Sequence, residues 1–69
     1  MAQQYAYNYA EIDLATRMCI QVTSGTNIIN DESFIEIPVF DEEYIFKYYI
    51  NGEWYEDAEG TIPWTSSLL

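Results

Sequence analysis

The sequence contains no histidine, and cysteine, lysine and arginine occur once each, as Cys19, Lys47 and Arg17. Each scarcity excludes something. Without histidine, and with one thiol and one amine, the usual side chains for proton transfer, nucleophilic attack and zinc binding are missing. No catalytic residue, metal ligand set or cofactor site is therefore expected, and the chain is read as a non-enzyme. One cysteine forms no internal disulfide, and Cys19, set in an apolar run, is expected to be a core thiol. Two cations cannot neutralise a row of phosphates, so direct nucleic-acid binding is not expected. The formal net charge of −10 opposes an anionic membrane surface. No run approaches the roughly 18 apolar residues of a membrane span, and the amino-terminal MAQQYAYNYAEID has neither the cation nor the apolar stretch of a signal peptide. These readings lead to the expectation of a protein that stays soluble after synthesis or is built into a soluble particle.

What is present points to a folded chain. Its 69 residues suit one small domain. Hydrophobic residues make up 49% and aromatics 17%, including seven Tyr, three Phe and two Trp, a composition disordered acidic chains lack. A domain this small buries only about 60% of the surface its unfolded chain exposes. With no disulfide or metal to staple it, burial against a partner or a second copy is expected, and Tyr and Trp are suited to interfaces.

The dominant periodicity is two, the period of a strand. Tyr5, Tyr7 and Tyr9 alternate with Ala6, Asn8 and Ala10, and Met18, Ile20 and Val22 alternate with Cys19, Gln21 and Thr23. A turn over Asp13–Arg17 makes these segments, near 4–12 and 17–23, an antiparallel hairpin. Ser24-Gly25 is read as a chain break and Asn30–Ser33 as a second turn. Phe34–Ile37 is a short strand closed by Pro38, and Asp41-Glu42-Glu43 can cap one helical turn. Asn51-Gly52 between Tyr44–Ile50 and Glu53–Glu56 marks a two-residue hairpin. That loop sets Ile50 opposite Glu53, Tyr49 opposite Trp54, Tyr48 opposite Tyr55 and Lys47 opposite Glu56. The core is expected from Ile12, Ile20, Val22, Ile35, Ile37 and the Tyr44–Ile50 run. Residues 58–69 lack periodicity, as a frayed tail does, but Trp64, Leu68 and Leu69 are costly to leave in water, so docking on this domain or on a neighbour is the alternative to a flexible tail.

Charge is uneven: residues 1–30 carry two acids and Arg17, whereas residues 31–69 carry ten acids and Lys47. Asp41-Glu42-Glu43 does not continue with the spacing of a calcium loop. A different use of the acids is imitation of a nucleic-acid backbone, which would make the chain an inhibitor of a host nucleic-acid-binding protein, of anti-CRISPR or anti-restriction type. Asp41, Glu42, Glu43, Glu53, Glu56, Asp57 and Glu59 are the candidates for that role. The alternative is that the acids confer solubility only.

The succession of segments carries a resemblance. Tyr-Ala-Glu-Ile-Asp (9–13) is followed by Cys-Ile-Gln-Val-Thr-Ser (19–24), Asn-Asp-Glu-Ser-Phe-Ile-Glu-Ile-Pro (30–38), Phe-Asp-Glu-Glu-Tyr (40–44) and Tyr-Tyr-Ile-Asn-Gly-Glu-Trp-Tyr-Glu (48–56). Over residues 5–57 this order resembles small acidic proteins from the tail and baseplate gene modules of phages and prophages of Gram-positive bacteria. The resemblance implies a tail- or virion-associated structural protein, with no catalytic residues to carry over. The expectation is thus an all-β domain, or a β-rich one with a single helical turn. Residues 1–57 would form a small twisted antiparallel sheet of two hairpins. It would dock on a virion or tail component, or on a copy of itself, through Tyr5, Tyr7, Tyr9, Tyr49, Trp54 and Trp64.

Overall fold

The computed structural model describes residues 7–69. Five strands form in the order β1 (Tyr7–Ile12), β2 (Cys19–Gly25), β3 (Phe34–Ile37), β4 (Tyr48–Ile50) and β5 (Glu53–Tyr55), with a 3-10 turn over Glu42–Tyr44 before β4. All pairings are antiparallel: β1 lies between β2 and β3 in one sheet, and β4 and β5 form a second. The protein is β-rich with one helical turn, as its periodicity predicts. The hairpin's residues 4–6, and with them Tyr5, lie outside the described residues.

The first hairpin turns on Asp13, whose carboxylate accepts from Ala15 N at 2.8 Å while its carbonyl accepts from Arg17 N at 2.6 Å. Arg17 leaves the turn at φ 69°. Ser24-Gly25 is not a break: Ser24 pairs with Asn8 and Gly25 with Tyr7, so β2 runs two residues further than the composition suggests.

One irregularity decides which residues are inside. Glu11 pairs with Gln21, but Ile12 pairs with Cys19, so Ile20 is an extra residue in β2. A bulge of this kind reverses the alternation beyond it. Cys19 moves onto the face of Ala10 and Ile12 and is fully buried, whereas Ile20 is 48% exposed. The expectation of Ile20 in the core is corrected by this bulge. Ala10, Ile12, Cys19, Ile37 and Tyr44 form the core, and Val22, Ile35, Ile45, Tyr49, Trp54 and Trp64 pack against it.

The second hairpin has the register that Asn51-Gly52 dictates: Tyr48 opposite Tyr55, Tyr49 opposite Trp54, Ile50 opposite Glu53. Both loop residues take positive φ, 51° and 84°, as a type I′ turn requires. The ladder stops there. Glu56 N donates instead to Ile62 O at 2.9 Å, and the Lys47 ammonium sits over the Trp64 ring, 5.1 Å from its centroid. The expected Lys47–Glu56 pair is therefore replaced by a cation–π contact with the carboxy-terminal segment.

Backbone bonds join the two sheets. Cys19 N donates to Lys47 O at 2.7 Å, Phe46 N to Cys19 O at 2.8 Å and Tyr49 N to Arg17 O at 3.0 Å, while Met18 bridges Tyr48. On the far side Tyr55 bridges Pro63, and Trp64 N donates to Trp54 O at 3.0 Å. Residues 62–64 thus continue the pairing beyond β5, whereas Leu68 and Leu69 are 60% and 66% exposed.

Candidate protein-docking site

The aromatic residues segregate into two groups. On the outer face of β1, Tyr7 and Tyr9 stack with centroids 6.3 Å apart and planes at 24°, and Phe34 meets Tyr9 edge-on. Tyr9 is only 4% exposed, and its hydroxyl accepts from Ile29 N at 3.0 Å, so the 26–33 loop covers it. Tyr9 therefore offers a partner little surface, while Tyr7 is half-buried beside it.

The second group is built around Tyr44. Trp54 and Trp64 both meet it edge-on, with centroids at 4.9 and 4.8 Å, and Tyr49 lies 5.0 Å from Trp54. Cross-strand pairing supplies Tyr49 and Trp54, the 3-10 turn supplies Tyr44, and the carboxy-terminal segment supplies Trp64. Burial raises the pKa of the Tyr44 hydroxyl, and the charge of Asp41 adds to that shift. Pro38, Tyr44, Glu53, Trp54, Pro63 and Trp64 surround a cleft of about 290 Å³.

A polar tie holds this arrangement. The Asp41 carboxylate is buried, accepts from Glu43 N at 2.9 Å and accepts from the Ser66 hydroxyl. Those two donors, the Ser66 hydroxyl foremost, hold its pKa below the usual carboxylate value. The bond spans 25 residues of sequence and fastens the segment carrying Trp64 to the 3-10 turn carrying Tyr44. Asp57 is also engaged, accepting from Thr61 N and Ile62 N, each at 2.9 Å, and from the Thr61 hydroxyl. Of the seven acids considered for backbone imitation, Asp41 and Asp57 are thus engaged as acceptors within the fold, and only Asp41 is buried. Glu42, Glu43, Glu53, Glu56 and Glu59 remain exposed.

Cys19 is a core thiol. It donates to Gln21 O at 3.4 Å, and burial raises its pKa, with Glu11 adding to the shift. No group of three or more His, Cys, Asp or Glu among the described residues could hold a metal ion.

Two exposed residues stand apart. Lys47 N donates to Tyr44 O at 2.9 Å across Ile45 (φ −59°, ψ 132°) and Phe46 (φ 76°), the dihedrals of a type II turn. The third position of that turn belongs by preference to glycine, because φ is positive there. Here it holds a phenylalanine that is 69% exposed. Its amide bonds to Cys19 O, which sets the Phe46 backbone beside the peptide leading into the bulged Ile20. Two independent backbone irregularities, joined by this backbone bond, thus each leave a large apolar side chain exposed.

Comparison with protein-family models, with curated proteins and with solved structures gave no match.

Of the six contact candidates named from sequence, the structure brings Tyr49, Trp54 and Trp64 together and sets Tyr7 and Tyr9 on the other face of the three-stranded sheet. Sequence reasoning missed Ile20 and Phe46. No local signal marks either one, since Tyr-Ile-Phe-Lys has no glycine and Cys-Ile-Gln-Val continues a regular alternation.

Proposed function

We propose that this protein is a non-enzymatic docking protein whose partner is another protein, bound through the apolar surface that Phe46 and Ile20 begin. The observation that carries the reading is Phe46. A left-handed conformation costs a non-glycine residue about 1–2 kcal/mol, and a ring 69% exposed recovers little of that within the chain. Strain of this kind persists where a site requires it, and exposed aromatics are the side chains that anchor interfaces. The partner is expected to be cationic around an apolar pocket, because a second copy of a chain with net charge −10 would be repelled. Among phage proteins, the resemblance of residues 5–57 to tail and baseplate gene products favours a tail or virion component as that partner.

Mass spectrometry of purified particles from a host carrying the gene tests this assignment, together with light scattering of the isolated protein. The protein is expected within the particles at a stoichiometry fixed by its partner, and as a monomer in isolation. Its absence from particles, combined with a concentrated solution that binds no virion component, would refute the docking role in the virion.

A further inference from the structure

The cleft walled by Tyr44, Trp54 and Trp64 is separate from Phe46 and has its own chemistry. Its wall combines the half-buried rings of Trp54 and Trp64 with Pro38, Pro63 and Leu69 over a Tyr44 that is 2% exposed, and among the described residues the one charged side chain lining it is that of Glu53. We propose that this cleft takes a proline-rich segment of a partner polypeptide carrying lysine or arginine beside its prolines.

A volume of about 290 Å³ accommodates a few residues of extended chain rather than a folded surface. Aromatic-lined grooves suit the polyproline II conformation, which is ordered before binding and so loses little entropy. Pyrrolidine rings pack on the faces of aromatic side chains, and an indole N–H is a donor suited to the carbonyls of such a segment. The charge around the cleft selects the flanking residues. Glu53 lines it, and residues 31–69 hold ten acids against one lysine, so a cationic segment is drawn in and an acidic one is repelled. Lys47, whose ammonium lies over the Trp64 ring, is the one cation of residues 31–69, so the balance over this half of the chain stays acidic. Neither Pro38 nor Pro63 is free to supply the segment, since both form the cleft wall, and the occupant proposed belongs to another chain.

This inference rests on the docking reading for the class of partner, but on a different surface. Its test is a titration of the whole protein with a synthetic peptide holding a Pro-x-x-Pro core and flanking arginines. Binding is followed by tryptophan fluorescence and by the two indole N–H resonances. Both resonances are expected to move. Replacing the arginines by glutamates, or the prolines by serines, is expected to abolish saturation. Glu53→Lys, an exposed substitution that leaves the hairpin register intact, should weaken binding roughly two- to fivefold or more. Raising NaCl from about 50 to 500 mM should weaken it as well. Equal binding of the serine peptide, or saturation with both indole signals unmoved, would overturn the inference. So would indole shifts produced by a neutral N-acetylglucosamine oligomer in place of the peptide, which would assign the cleft to sugar. Phe46→Gly is expected to leave peptide affinity unchanged, so failure here leaves the Phe46 surface standing.

Discussion

The twelve acidic residues divide by type. All four aspartates, Asp13, Asp31, Asp41 and Asp57, accept hydrogen bonds from nearby amide groups and fix turns. The glutamates supply the surface charge, with Glu11 alone among the eight partly buried. The difference is one methylene: the shorter side chain reaches its own backbone two residues on. Because the pKa values of Asp31, Asp41 and Asp57 are lowered from 3.8, folding is favoured by their ionised forms. Their contribution is complete above the unfolded value and is lost as pH falls through the lower folded values. Urea denaturation followed across pH should therefore show a steep loss of stability below about pH 4. A second prediction concerns Ser66→Ala. It leaves the buried Asp41 carboxylate without its hydroxyl donor and should destabilise the fold by about 1–3 kcal/mol. Tryptophan fluorescence should report a loosened Trp64 in the same variant.

At the scale of elements, the two bulged or strained positions behave oppositely to what alternation alone implies. Ile20→Thr should change stability by less than about 0.5 kcal/mol, because an exposed bulge residue packs against little. Ile12→Ala should cost about 2–5 kcal/mol, the usual price of truncating a buried aliphatic. Equal losses at the two positions in chemical denaturation would contradict the bulge. Phe46→Gly should stabilise the fold by about 0.5–1 kcal/mol, the relieved left-handed strain less the added freedom of the unfolded chain. In a domain of this size, a Tm rise of about 2–8 °C is the readout.

The legibility of these elements follows their physics. The second hairpin was readable from Asn51-Gly52 because a two-residue loop with both φ positive admits few other residues and leaves one register. The Asp13 turn, β3 before Pro38 and the capped 3-10 turn at Asp41 were readable for similar local reasons. The bulge at Ile20 was not, because it is set by where β2 must meet Lys47 and Tyr48, a contact some 28 residues away. The fate of Lys47 was decided at long range too: the Trp64 ring, carried in by the Asp41–Ser66 bond, meets its ammonium before Glu56 can. The exposed Phe46 arises from a turn whose type the local residues do not announce.

Across the whole molecule, a net charge of −10 acts on a chain described by two small sheets and one modest core. Like charges on so small a body repel, and added salt screens them over about 8 Å at physiological ionic strength. Thermal stability should therefore rise with NaCl up to several hundred millimolar, measured by circular dichroism at neutral pH. A salt-independent Tm would mean that the exposed glutamates are spaced too widely to interact. In the proposed docking role, the same repulsion disfavours self-association and favours a cationic partner. The central claim is that Phe46 is retained at a strained position for binding rather than for folding. Its most direct test is a paired affinity capture, using the unaltered chain and Phe46→Gly, from cells that naturally carry the gene, with Tm measured on the same preparations. The glycine variant should be at least as stable and should lose the partner. A glycine variant that keeps the partner, or one that unfolds at lower temperature than the unaltered chain, would contradict it.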